Sequence, residues 1–359
     1  MVVSVAIRHA QGAFTLDAAF ESEGRLIALF GPSGSGKSTL VNLIAGLARP
    51  DHGRIAIDGR VLVDTERGVF VPSHKRRIGY VFQDARLFPH LTVSQNLRYG
   101  RFFTPAGRRY SSFASVVDLL GIGHLLARRP SLLSGGEKQR VAIGRALIAS
   151  PDLILMDEPL ASLDTARKAE ILPYLERLRD ETKIPIVYVS HAVGEVARLA
   201  TDVVALASGR VTASGRASDV LSRLDLIGAE DRDEAGVALE LSLAGEDEYG
   251  LSVLRSSAGE WRLPRIDMQA GASVRVRVRA RDVMLATTRP TGISALNILE
   301  GVITEIGAPD GPDRLVAVDC GADRIVARVT HRSVDLLGLR PGLSVYAIVK
   351  SVAFDRHGG

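Results

Sequence analysis

Over residues 1 to about 228, short apolar runs alternate with stretches of helical spacing. Residues 26–30, 153–156 and 184–189 are almost uniformly apolar, as strands buried on both faces are, and each run gives way to a polar or glycine-rich turn. Residues 39–47 have helical spacing. Such alternation predicts an α/β unit whose mostly parallel sheet is covered by helices on both faces. Active sites of such folds lie at the carboxyl ends of the strands.

The pattern changes after residues 229–236, which are charged and poor in apolar side chains and are read as a linker. Val274-Arg275-Val276-Arg277-Val278-Arg279 alternates with period two, as a half-buried strand does. Further short strands are predicted at 302–306, 315–318, 325–329 and 345–349, punctuated by Gly, Pro and Asp. The organisation expected is a domain over 1–228, a linker and first β segment over 229–290, and a small all-β barrel over 291–359.

Composition narrows the function classes. The 359 residues carry 45 Lys and Arg against 41 Asp and Glu, a net +4. That excess is too small to argue for nucleic acid without a basic stripe, and the short runs Lys75-Arg76-Arg77 and Arg108-Arg109 are read as solvated surface. Cys320 is the single cysteine, so no intrachain disulfide forms and a reduced compartment is expected. The eight histidines are scattered without metal-ligand spacing. No signal peptide is recognisable, and no uncharged apolar run reaches the ~20 residues that cross a bilayer.

Gly31-Pro32-Ser33-Gly34-Ser35-Gly36-Lys37-Ser38 fits the P-loop pattern between a predicted strand and a helix that Thr39 enters. Its glycines allow backbone N–H groups to wrap phosphate oxygens, and the helix N-terminus adds partial positive charge. Lys37 is assigned to the terminal phosphates of a nucleotide and Ser38 to Mg²⁺. The strand at 153–156 ends in Asp157-Glu158, and acids at a buried strand tip need a partner. Asp157 is assigned to Mg²⁺ and Glu158 to the attacking water. His191 follows a third strand at the same edge and is assigned to a phosphate contact.

Leu133-Ser134-Gly135-Gly136-Glu137-Lys138-Gln139-Arg140 resembles the signature of ATP-binding-cassette ATPases. Tyr80-Val81-Phe82-Gln83-Asp84 resembles that family's Q-loop, Ser162-Leu163-Asp164 its D-loop and His191 its switch histidine, all in the family's order. Ser134 and Glu137 have the spacing of a capping box; Glu137 stands where the family more often has Gln, and either residue completes the box. The resemblance covers residues 1 to about 228. It implies a cassette-type P-loop ATPase fold with a helical subdomain, with ATP and Mg²⁺ as cofactors and Gln83 near the metal. It also implies a head-to-tail homodimer in which Ser134, Gly135 and Gly136 face the ATP of the second copy. The family stacks an aromatic residue on adenine; Phe14 is the nearby candidate and reads equally as core. Leu87 and Phe88 occupy a predicted loop, as packing or as a partner surface; in the family this region receives a helix of the membrane subunit.

Residues 79–88, 134–147 and 158–164 resemble the ATP-binding subunits of bacterial molybdate importers. So does the tail, where Ser294-Ala295-Leu296-Asn297-Ile298-Leu299-Glu300-Gly301 and 345–351 resemble the ends of a small molybdate-binding barrel of OB-like type. The family usually has Arg where this chain has Leu296. The tail, with Lys350 and Ser351, is read either as an oxyanion sensor or as a barrel that only packs against its twin. The resemblance implies membrane permease subunits and a periplasmic molybdate-binding protein as partners, no nucleic acid, and a peripheral place on the cytoplasmic side of the inner membrane. The alternatives are import of another solute such as sulfate, iron or a polyamine, a soluble cassette ATPase acting on nucleic acid, or an oxyanion storage or regulatory protein.

Overall fold

The computed structural model describes residues 2–221, 235–309 and 311–351. Residues 229–234, most of the linker expected at 229–236, lie outside the described residues. The chain forms two compact units, Met1–His191 with Leu199–Arg216, and Ala192–Arg198 with Ala217–Gly359.

In the first unit the strands are β1 (Val3–Gln11), β2 (Phe14–Ser22), β3 (Leu26–Phe30), β4 (His52–Ile57), β5 (Arg60–Asp64), β6 (Val69–Phe70), β7 (Ile78–Val81), β8 (Leu153–Asp157), β9 (Ile186–Ser190), β10 (Asp202–Ala207) and β11 (Arg210–Arg216). They form one sheet in the order β6-β5-β4-β1-β2-β11-β10-β3-β9-β8-β7. The sheet is mixed: β10, β3, β9, β8 and β7 pair in parallel, whereas β6, β5, β4, β1 and β2 pair antiparallel. The parallel half carries the uniformly apolar runs, and every residue of β3 and β9 is buried.

Helix α1 (Lys37–Ala45) leaves β3 and buries Leu40, Val41, Leu43 and Ile44 completely in the sheet's core. Helices α2 (Val93–Phe102), α3 (Phe113–Leu119) and α4 (Gly135–Ile148) form the helical arm between β7 and β8, and α5 (Thr165–Glu181) and α6 (Val193–Leu199) precede and follow β9. In the basic run at 75–77, Lys75 is exposed as expected, but Arg76 is not solvated surface. Arg76 is 1% exposed and donates to the carbonyls of Leu43, Ile44 and Val71, because the last turn of α1 leaves acceptors without intrahelical donors.

The second unit continues through α7 (Ala217–Leu221) to β12 (Gly236–Glu246), β13 (Ser252–Ser256), β14 (Gly259–Leu263) and β15 (Ser273–Arg279), an antiparallel sheet in the order β14-β13-β12-β15. Next come β16 (Val283–Ala286), β17 (Asn297–Ile306), β18 (Asp313–Cys320), β19 (Asp323–Thr330), α8 (His331–Leu336) and β20 (Ser344–Val349). These five strands pair antiparallel in the order β16-β20-β17-β18-β19. The outermost two, β16 and β19, also meet, so the sheet curls into a barrel. The two sheets share one core around the fully buried Trp261. On β15 the valines point inward as expected, but Arg277 is buried too, so the strand is covered on both faces at its centre.

Candidate functional site

The turn from β3 into α1 is a phosphate cradle. Gly36 caps α1 at φ 102°, a left-handed conformation, and no side chain caps the first-turn N–H groups. A Cβ on Gly36 would lie 2.9 Å from the ring of Phe14, which is half-buried and packed on the core below. Pro32, Ser33 and Gly34 are exposed, whereas Gly31 and Ser35 are buried, and Ser35 accepts from the Gly209 N–H through its carbonyl at 3.1 Å. Lys37 is 4% exposed, and its Nζ donates to the carbonyls of Gly31 (2.6 Å) and Pro32 (2.8 Å). The loop thereby holds its own ammonium beside the cradle. Burial lowers the pKa of Lys37, and the nearby carboxylates of Glu158 and Asp157 work against that shift.

The crossing of α1 over the sheet brings Ser38 to β8, so Ser38 Oγ donates to Asp157 Oδ1 at 3.1 Å. From β7 on the other side, the Tyr80 hydroxyl lies 3.3 Å from Asp157 Oδ2 and 3.3 Å from Asn42 Oδ1. Burial pushes the Asp157 carboxyl above its ordinary range, while the hydrogen bonds from Ser38 and Tyr80 pull it back. Burial likewise raises the Tyr80 phenol, with the charge of Asp157 adding to the shift. Glu158 takes a positive φ of 45°, and its N–H donates to Val189 of β9. That turn brings Glu158 Oε1 to 3.4 Å from His191 Nδ1, just past the end of β9. A non-glycine residue in the left-handed region is strained by roughly 1–2 kcal/mol, and such strain collects at functional positions. The hydroxyl and carboxylate oxygens of Ser38 and Asp157 are hard donors that fit Mg²⁺. Among the described residues no three His, Cys, Asp or Glu side chains cluster as metal ligands.

Comparison with known proteins agrees with this chemistry. Residues 19–161 match the ABC transporter family, and residues 293–354 match the TOBE domain. The chain is 64% identical to the molybdenum import ATP-binding protein ModC of Mesorhizobium japonicum, over 99% of this chain and 96% of that one. The chain belongs to the ModC family of ABC transporter ATP-binding proteins. It is also 56% identical to ModC of Rhizobium etli, over 99% of this chain and all of that one. Among solved structures, cbiO1 from Clostridium perfringens, part of the ABC transporter complex cbiONQ, matches 63% of this chain and 92% of its own with a TM-score of 0.53 and 27% identity.

The other residues expected of this ABC transporter family lie elsewhere in the first unit. Ser134 caps α4 by accepting from the Glu137 N–H at 3.2 Å, and the Glu137 carboxylate accepts from the Ser134 N–H at 2.6 Å, completing the box. Those bonds hold the Glu137 carboxyl below its ordinary pKa. A Cβ on Gly135 would lie 2.9 Å from Leu163, and one on Gly136 would lie 3.5 Å from Ile171 of α5. The signature glycines therefore pack on the D-loop segment and α5, and not on the phosphate cradle of their own chain. Gln83 is exposed two residues past β7 and makes no hydrogen bond to Ser38 or Asp157 among the described residues.

Three participants were not anticipated. Tyr80 faces Asp157, and Asn42 Oδ1 is a second acceptor within 3.3 Å of the same hydroxyl; a lone polar ring on an apolar strand was the only available signal for Tyr80. Asn96 is fully buried on α2, exchanges hydrogen bonds with both backbone groups of Phe88, and also donates to the carbonyls of Leu91 and Thr92. It thereby fixes the loop that presents Leu87 and Phe88. In the tail, Asn297 is fully buried, and its amide bonds both backbone groups of Arg262. Its donors are thus largely committed to joining β17 to β14.

Proposed function

We propose that this chain is the ATP-hydrolysing subunit of a molybdate importer, working as a homodimer on the cytoplasmic face of the membrane. Permease subunits and a periplasmic molybdate-binding protein complete the complex. The observation that carries the reading is full-length similarity to ModC proteins, spanning both the cassette and the TOBE tail, in a chain whose phosphate cradle and acidic pair are joined in one site.

The geometry supports a definite division of labour. Gly31 through Thr39 bind the phosphates of ATP through backbone N–H groups and Lys37, whose ammonium exchanges loop carbonyls for phosphate oxygens. Ser38 and Asp157 would hold Mg²⁺, with Gln83 as a further oxygen donor, and the ion would supply charge neutralisation to the phosphates. Glu158 accepts a hydrogen bond from water and orients it for in-line attack on the γ-phosphorus. The bond to the bridging oxygen breaks, ADP departs with that electron pair, and the water's proton passes to solvent or phosphate by way of Glu158. His191, within reach of Glu158, fixes that carboxylate and contacts the γ-phosphate. Ser134, Gly135 and Gly136 of the partner complete the site across the dimer, which closes on ATP and reopens after hydrolysis. The loop pinned by Asn96 receives the permease helix.

The test is complementation of a strain that lacks its molybdate ATPase subunit. Restored molybdate uptake with Mg²⁺-dependent ATP hydrolysis is expected. Restored uptake of sulfate, iron or a polyamine in place of molybdate would transfer the reading to that solute.

A further inference from the structure

Asp157 has a partner at each carboxylate oxygen. Ser38 Oγ donates to Oδ1 at 3.1 Å, and the Tyr80 hydroxyl lies 3.3 Å from Oδ2. The register of the sheet explains that reach. β7 pairs in parallel with β8 and sets Tyr80 opposite Leu155. Side chains two residues apart on a strand share a face, so Asp157 stands on the face of Leu155, one step beyond it. Ile78 and Tyr80 pack on that same face, against the core that α1 and Leu155 fill. A phenol at position 80 is long enough to pass Leu155 and meet the strand tip.

The ring is held from several sides. Phe82 stacks on it with centroids 4.1 Å apart and 23° between planes. Phe82 is covered in turn by the Arg86 guanidinium, 4.1 Å from its centroid, and its carbonyl accepts from Gln139 Nε2 at 3.3 Å. A donor on a packed ring keeps its place. The hydroxyl has one proton, and two acceptors lie within reach, Asp157 Oδ2 and Asn42 Oδ1. A charged acceptor makes the stronger hydrogen bond, so the proton goes to the carboxylate.

We propose that Tyr80 is a positioning residue for ATP hydrolysis, whose hydroxyl holds Asp157 Oδ2 so that the carboxylate keeps the rotation in which it and Ser38 would meet Mg²⁺. The inference rests on the reading of Ser38 and Asp157 as the ligands of that ion. The terminal torsion of an aspartate is broad, so the carboxylate is free to turn unless both oxygens are engaged. Phenylalanine at position 80 keeps the stack on Phe82 and removes only the donor. Hydrogen bonds to the groups that ligate a metal are typically worth 10–100-fold in its affinity.

The experiment compares the wild type, Tyr80→Phe and Asn42→Ala as purified full chains. Mn²⁺, standing in for Mg²⁺, is titrated into equimolar protein and ADP, and free Mn²⁺ is read by electron paramagnetic resonance. Tyr80→Phe should bind Mn²⁺ roughly tenfold more weakly, and its ATP hydrolysis should need roughly tenfold more Mg²⁺ for half its maximal rate. Its affinity for ADP in EDTA should equal that of the wild type, because the phosphate cradle is untouched. Asn42→Ala removes the other acceptor of the hydroxyl and should keep the wild-type affinity for Mn²⁺. Unchanged Mn²⁺ affinity in Tyr80→Phe overturns the proposal and leaves the metal reading standing. An equal loss in Asn42→Ala also overturns it, since the effect then runs through α1. So does an ADP affinity in EDTA that falls as far as the Mn²⁺ affinity, the mark of a distorted cradle. A wild type that takes up no more Mn²⁺ than ADP alone removes the metal reading itself, and the role of Tyr80 with it.

Discussion

Replacing Arg76 by methionine removes the cation that closes the far end of the helix carrying the phosphate cradle. Its guanidinium donates through Nη1 to the carbonyls of Leu43 (2.8 Å) and Ile44 (2.7 Å), and through Nε to Val71 (2.7 Å). The first two carbonyls belong to the last turn of α1, where the helix macrodipole is negative. A hydrogen bond from a charged donor contributes about 1.5 kcal/mol or more, so three give a gross loss of about 4–5 kcal/mol. Burial works against the cation and holds its pKa down at about 10, so removing it relieves part of that loss. Methionine fills much of the stem volume, which keeps the cavity contribution small. A net destabilisation of about 3 kcal/mol is expected, which lowers the melting temperature of a unit of this size by roughly 6–12 °C. The assay is thermal unfolding of the full chain with and without ATP, because the transition that nucleotide raises identifies the first unit. Nucleotide affinity per folded molecule should stay unchanged, since the nine residues of α1 place the phosphate end ~14 Å away. Gly46→Ala should destabilise through the same contact: its Cβ would lie 2.4 Å from Arg76 Nε, at a φ of +77°. The double variant should then cost less than the sum of the two. An Arg76→Met protein that melts with the wild type would refute the reasoning.

Three further outcomes follow from the site. Glu158→Gln should bind ATP as the wild type does and accumulate as an ATP-bound dimer with turnover nearly abolished, measured by steady-state phosphate release and gel filtration; near-normal turnover would remove Glu158 from its role. Lys37→Ala should instead weaken nucleotide binding itself, seen by titration calorimetry, because its ammonium contacts phosphate in the ground state; equal affinity would count against it. Asp157→Asn should lose Mg²⁺-dependent hydrolysis while gaining stability relative to the wild type as pH rises above the ordinary carboxyl range of about 4. Burial raises the folded-state pKa of Asp157, so its protonated form favours the fold and its charged form carries a penalty that the amide lacks. A stability difference that does not change with pH would contradict that assignment.

Boundary differences between sequence reading and structure have local causes. The strand expected at 184–189 runs from Ile186 to Ser190, because Pro185 lacks the N–H that a ladder needs. The helix expected at 39–47 runs from Lys37 to Ala45, because Gly36 and Gly46 both adopt left-handed conformations that bound it. Residues 229–290 were expected to hold a linker and a first β segment, and Gly236–Arg279 builds four paired strands. The alternation of Val237, Leu239, Leu241 and Leu243 was a legible signal beside the charged linker. The pairing of Val283–Ala286 with the last strand, Ser344–Val349, was not legible, since a short strand carries no mark of a partner some sixty residues away.

The sequence by itself determined the local chemistry: a glycine-rich turn between strand and helix, a strand tip ending in Asp157-Glu158, and a serine–glutamate cap spaced for reciprocal hydrogen bonds. These depend on neighbours within a few residues, so spacing alone specifies them. Only the tertiary structure decided which groups meet. The sheet order β10-β3-β9-β8-β7 sets strands distant in sequence side by side, and this puts Glu158 against His191, and Tyr80 and Ser38 on opposite sides of Asp157. It also buried Arg76 within a basic run that reads as surface, because the carbonyls of a helix end 32 and 33 residues earlier accept from its guanidinium together with the local carbonyl of Val71. Hydrogen bonds and burial across such separations follow from the packing of whole elements, which no short segment encodes.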